Sequence, residues 1–106
     1  MPTTKYKVRY ATIYVFAAGA RGFRVTSSPE RLTVRVGDEV DFTVVDATGK
    51  LPGKVSIKFP DRSPLAEVEP FERWQRVTVR KAKAGLYKYS ILIGDDVVFD
   101  PLLEVM

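Results

Sequence analysis

RLTVRVGDEVDFTVVD, residues 31–46, alternates apolar and polar side chains on either side of a single glycine. Leu32, Val34 and Val36 alternate with Arg31, Thr33 and Arg35. Val40, Phe42 and Val44 then alternate with Asp41 and Thr43. A strand turns successive side chains to opposite faces, so this period of two specifies two half-buried strands. Gly37-Asp38 between them predicts a tight hairpin turn.

The same period recurs down the chain. Val55, Ile57 and Phe59 form one apolar set, Val77 and Val79 a second, and Tyr87, Tyr89, Ile91 and Ile93 a third. A first strand is predicted over residues 6–16. Its inward set reads Tyr6, Val8, Tyr10 and then Ile13, Val15, a change of phase that asks for a bulge near Ala11 or Thr12. Small and turn-forming residues at 17–22, 47–53 and 94–96 separate the strands. Pro60, Pro64 and Pro70 punctuate a longer connection with room for one helical turn at 65–68. About seven or eight strands and no long helix predict an all-β chain, built as a two-sheet sandwich or a barrel.

At 106 residues the chain is read as one domain, 1–106. A domain of this size buries roughly two-thirds of its unfolded surface, enough for a core without staples. There are no cysteines, hence no disulfides, which suits a reducing compartment. MPTTKYKVRY at the start carries no apolar run, so a cytoplasmic location is expected, with secretion as the alternative if a signal peptide has been removed ahead of it. The longest apolar run, residues 14–18, is too short to span a bilayer, and no membrane span is expected.

Three pieces resemble the cupredoxin-like family: Val36-Gly37-Asp38-Glu39-Val40-Asp41-Phe42, Val55-Ser56-Ile57-Lys58-Phe59, and Gly85-Leu86-Tyr87-Lys88-Tyr89-Ser90-Ile91. Their order and spacing are similar to the family's over residues 31–106. The resemblance implies an antiparallel Greek-key β-sandwich, with an immunoglobulin-like sandwich as the alternative, because the same short motifs recur there. It also implies where copper would sit. The copper cysteine would fall at Ile91, the first histidine near Val55, and the remaining ligands in the turn at 94–99. The chain has no His and no Cys. A blue-copper centre needs a thiolate and two imidazoles, so no copper and no other cofactor is expected.

The same two absences exclude Ser–His–Asp triads, Cys–His nucleophiles and common zinc sites. Carboxylates remain. Asp95, Asp96 and Asp100 cluster near the last turn, with Asp61 and Glu67 elsewhere, and a carboxylate-dependent hydrolase is the least favoured reading. Aspartates beside Gly94 are ordinary turn chemistry.

Net charge is +4. Solvent-facing positions of the strands carry columns of cations: Lys5, Lys7 and Arg9, then Arg31 and Arg35, then Lys54 and Lys58, then Arg76 and Arg80. Such columns suit anionic groups of nucleic acid, lipid or polysaccharide. They equally suit cross-strand ion pairs, with Glu39 and Asp41 on the hairpin partner of Arg31 and Arg35. Trp74 is the only tryptophan. Beside Phe71 it either plugs one end of the sandwich or, with Arg73, stands out as an anchor. Phe99, Leu102, Leu103 and Met106 crowd the C-terminal strand. Adjacent leucines point to opposite faces, so either one is exposed or a bulge near Pro101 turns both inward. The first strand carries a similar surplus in Tyr6, Tyr10, Tyr14 and Phe16. The resulting expectation is a non-enzymatic interaction module, with a protein partner or its own copies. An anion-binding module is the alternative.

Overall fold

A computed structural model describes residues 6–18, 22–49, 51, 53–60, 62–94 and 96–106. The described chain is all β, with strands β1 (Val8–Ala18), β2 (Gly22–Ser28), β3 (Arg31–Val34), β4 (Glu39–Asp46), β5 (Val55–Lys58), β6 (Trp74–Thr78), β7 (Gly85–Lys88), β8 (Ser90–Ile93), β9 (Asp96–Phe99) and β10 (Leu102–Val105). One layer is a four-stranded sheet in the order β2-β1-β4-β6. The other consists of β3-β10-β7 and β5-β8-β9. β7 runs into β8 through Tyr89, and β9 runs into β10 through Asp100 and Pro101. Pro101 has no N–H, so only the Tyr89 amide bridges the break, donating to the Pro101 carbonyl at 3.1 Å. Ten segments are therefore eight strands, two of them interrupted face to face.

Two pairings are parallel, β1 with β4 and β3 with β10, where an antiparallel sandwich was expected. The cause lies at residues 35–38. Gly37-Asp38 does not close a hairpin. It carries the chain from β3 in one sheet to β4 in the other, and this crossover lays β4 beside β1 in the same direction. Gly37 has φ 97°, a left-handed conformation that favours glycine at the crossing, and a Cβ there would also displace the Tyr6 ring. Asp38 anchors it. Its carboxylate accepts the Lys7 and Arg35 amides, both at 2.9 Å, and the Arg9 Nε at 3.5 Å. Burial works to raise this carboxyl's pKa, but the three donors outweigh it and hold it below its ordinary value.

The core lies between the layers. Ala11, Ile13 and Val15 of β1, Val40 and Phe42 of β4, and Val77 of β6 meet Leu32, Val34, Ile91, Ile93, Leu103 and Val105 of the other layer. Each large aliphatic side chain buried here contributes roughly 1.5–3 kcal/mol. β1 keeps one unbroken register, and the expected bulge at Ala11 or Thr12 is absent. Ala11, Ile13 and Val15 face the core, so Tyr10 lies outside, and Tyr6, ahead of the strand, is exposed as well. The register shift is in β8 against β9, between Ile91 and Leu92. Residues 65–68 form no helical turn. Leu65 instead bridges Val79 beyond the end of β6.

Tyr89 sits at the centre of an aromatic cluster, 6.1 Å from Phe42 and 5.3 Å from Phe59 between ring centroids. Burial pushes its phenol up to about 12. The Ser27 hydroxyl offsets this in part but makes no well-formed bond to Tyr89, whose buried Oη lacks a hydrogen-bond partner. Ser27 Oγ donates instead to the Pro29 carbonyl at 3.4 Å. An orphaned buried hydroxyl is a cost, so Tyr89→Phe is expected to stabilise the fold by about 1 kcal/mol. A folded pKa above the unfolded value keeps stability intact below pH ~10 and drains it as pH rises towards ~12. Urea unfolding at pH 7 and across that alkaline window measures both effects. A destabilised Tyr89→Phe with an unchanged alkaline profile would refute the account.

Candidate functional site

Two exposed surfaces stand out, and each is built by strand register. The first is the outward face of the four-stranded sheet. Pairing places Arg76, Asp41 and Tyr10 in one row, Trp74, Thr43 and Thr12 in the next, and Val45 with Tyr14 in a third. Tyr10 is 61% exposed and Trp74 59%. Phe16 and Val45 are exposed too, and the Tyr14 and Phe16 rings stack at 6.3 Å. Aromatic side chains thus line a solvent-facing sheet whose inner face is already filled. Of the two readings of Trp74, the exposed one matches its position. Phe71 alone is the plug, buried and bridged to Val55. Arg73 is exposed beside Trp74.

The other residues singled out at the C-terminus do not join this face. Leu103 is fully buried, a correction to its reading as surface, because β10 alternates regularly and no bulge intervenes at Pro101. Leu102 is half-buried, Phe99 packs against the core, and Met106 is exposed at the end of the other layer.

The second surface is an open groove of about 1050 Å³ between Phe59 and Pro60, residues 62–64, residues 80–83 and β7. Arg62, Arg80, Lys81, Lys83 and Lys88 surround it. Phe59, Pro60, Leu86 and Tyr87 supply its apolar lining. Only Arg80 belongs to the cationic columns seen in the sequence. The short run Arg80-Lys81-Ala82-Lys83 was the signal for Lys81 and Lys83, and Arg62 and Lys88 join them only in three dimensions.

Three cations of those columns serve the fold as ion pairs. Arg9 bonds Asp38, and Arg76 reaches Asp41 at 3.0 Å. Asp41 in turn raises the Arg76 pKa, chiefly by that hydrogen bond. Arg31 pairs with Glu104 on β10 at 2.8 Å, not with Glu39 or Asp41, because β3 and β4 lie in different sheets. Arg31, then Thr33, hold the Glu104 carboxyl below its usual range. Lys7, Arg35, Lys54 and Lys58 remain as exposed cations, and Lys5 lies outside the described residues.

Among the carboxylates, Asp96 and Asp100 are exposed, and Asp100 accepts a hydrogen bond from Ser90 at 2.7 Å. Asp61 and Asp95 lie outside the described residues, and Glu67 is exposed. Asp46 and Glu72 line a shallow depression beside Trp74, but Asp46 is engaged by the Thr48 amide at 2.9 Å.

The positions that the resemblance assigns to copper ligands fail the test of chemistry. Val55 and Ile91 are both fully buried, on neighbouring strands, and pair with Ile93 and Ile57. Hydrocarbon fills these two positions, and neither side chain can ligate a metal. Among the described residues no group of three or more His, Cys, Asp or Glu could hold an ion. No described helix is long and apolar enough to cross a membrane.

The fold is that of a cupredoxin-like β-sandwich lacking the copper ligands. Among solved structures it is similar to a purple cupredoxin from Nitrosopumilus maritimus, at TM-score 0.53 and 22% identity over 90% of this chain and 98% of that one. It is also similar to a copper-containing nitrite reductase from Thermus scotoductus, at TM-score 0.52 and 19% identity, covering 90% of this chain but only 28% of that one. No protein-family model and no curated protein matches the chain.

Proposed function

We propose that the protein is a non-enzymatic interaction module whose contact surface is the aromatic outward face of the four-stranded sheet, and that a second copy of the chain is its first partner. The observation that carries this is the gathering of Tyr10, Tyr14, Phe16, Val45 and Trp74 on one side of one sheet. Large rigid aromatic side chains give much contact area at little entropic cost, and they dominate interface energetics. Within this face Arg76 is already paired with Asp41, while Arg24, opposite Phe16, and Arg73 are exposed cations. Trp74 with the adjacent Arg73 is the anchor.

Trp74 is the sole tryptophan, so its fluorescence reports on this face alone. Sedimentation should show concentration-dependent association, accompanied by a blue shift of emission. Combined Tyr10→Lys and Phe16→Lys changes should abolish association while leaving the melting temperature within a few degrees. A chain that stays monomeric near 1 mM, where contacts worth about 4 kcal/mol would show, would overturn the self-association reading.

A further inference from the structure

We infer that the outer edge of β7 is a docking site for an extended acidic segment of a partner protein, added to the sheet as a new strand. This inference is independent of the aromatic face and concerns the groove between the two layers. The geometry begins with which backbone groups are already used. The Tyr89 amide bonds Pro101 on the β10 side. The register of β7 against β10 continues as Lys88 with Leu102, Tyr87 with Leu103 and Leu86 with Glu104. Antiparallel ladders alternate, so Tyr87 and Gly85 bond β10, while Leu86 and Lys88 turn their N–H and C=O groups the other way. On that other side β5 covers β8 and then stops. Lys58 pairs with Ser90, and the next position able to exchange bonds with Lys88 is Pro60. Proline cannot donate, and β5 leaves the sheet there. The edge of Leu86 and Lys88 is thus left open, and it faces the groove.

Charge selects the occupant. Five cations surround the groove, and none of them pairs with a carboxylate among the described residues. Arg80 is held by the Ser63 carbonyl at 3.2 Å, which fixes its position without cancelling its charge. Lysines on an open edge repel a second copy of the same edge. An acidic strand meets the opposite condition: its backbone completes the ladder, one row of its side chains lies on the exposed face shared by Leu86 and Lys88, where carboxylates meet Lys88, and the other row lies on the half-buried side of Tyr87. Edge addition rather than a generic anion site is favoured because the cations border unsatisfied backbone groups, not a closed pocket.

The test uses the whole chain and three capped heptapeptides of alternating glutamate and valine: the parent, one N-methylated on every glutamate, and one N-methylated on every valine. An added strand points only alternate amides at the edge. The parent should bind and slow hydrogen exchange at the Leu86 and Lys88 amides. One methylated analogue should bind like the parent, and the other about tenfold or more weakly, as expected when backbone bonds to the edge are lost. Lys83→Glu and Lys88→Glu should weaken the parent similarly. Equal effects of the two methylations would overturn the strand and leave a generic anion site, as would equally tight binding of an oligothymidylate. No binding by the parent peptide would overturn the site itself while leaving the aromatic-face reading untouched.

Discussion

Leu103→Asp is expected to prevent folding at ordinary temperature, whereas Leu102→Asp, one residue away, costs about 1 kcal/mol or less. Leu103 is fully buried, in register with Leu32 of β3 on one side and Tyr87 of β7 on the other. Truncating such a leucine removes about 2–5 kcal/mol. Placing a carboxylate there without a partner adds several more. Together these match or exceed the whole stability of a small domain, roughly 5–15 kcal/mol. Leu102 faces the other way and is half-exposed, with Arg31 and Lys88 as its cross-strand neighbours. An aspartate there gains two cations, each opposed pair worth a few tenths to about 1 kcal/mol, which offsets the lost apolar area. Circular dichroism with urea unfolding compares the two variants directly. Equal midpoints would show that β10 does not hold the register described.

The contrast between those neighbours shows what was legible in the sequence. A period of two fixes which residues share a face, and it correctly grouped Leu32 with Val34, Val40 with Phe42, and Ile91 with Ile93. It says nothing about which strand lies next. Gly37-Asp38 has the composition of a hairpin turn, yet a glycine with positive φ followed by a capping aspartate serves equally well to cross between sheets. The choice is made by distant partners, Lys7 and Val79, that no local signal reveals. β1 was misphased for a related reason. Both of its faces are rich in large apolar residues, and the small Ala11 marks the buried one only once β4 is known to lie beside it. The cationic columns were visible, but their use as ion pairs depended on the same long-range pairing. The basic groove was harder still, because the ending of β5 at Pro60, the loop at 80–83 and β7 meet only in three dimensions. The missing copper ligands needed no structure, since a chain without His or Cys cannot supply an imidazole or a thiolate.

Asp38→Ala is expected to cost about 3 kcal/mol, and Asp38→Asn somewhat less, roughly 2 kcal/mol. The wild-type carboxylate has almost no exposed surface and accepts from two amides and one guanidinium, which tie the start of β1 to the turn between β3 and β4. Alanine leaves the Lys7 and Arg35 amides without that acceptor. Asparagine restores one oxygen but sets an NH2 group against the remaining donors. The main chain at the same point adds to the knot, since the Val79 amide donates to the Asp38 carbonyl at 2.7 Å and the Glu39 amide to the Lys7 carbonyl at 2.9 Å. The pH profile separates this role from simple loss of packing. A carboxyl held below its ordinary value in the folded state stabilises the protein fully above that value, 3.8, and the contribution disappears as pH falls through the lowered folded value. Wild type should therefore lose stability more steeply than either variant below pH ~4. Glu104, held down by Arg31 and Thr33, leaves a smaller acid-side loss common to all three proteins. Urea midpoints measured from pH 7 to pH 2.5 decide the matter: curves for wild type and Asp38→Asn that run parallel throughout would mean that the carboxylate's charge contributes nothing to closing this end of the sandwich.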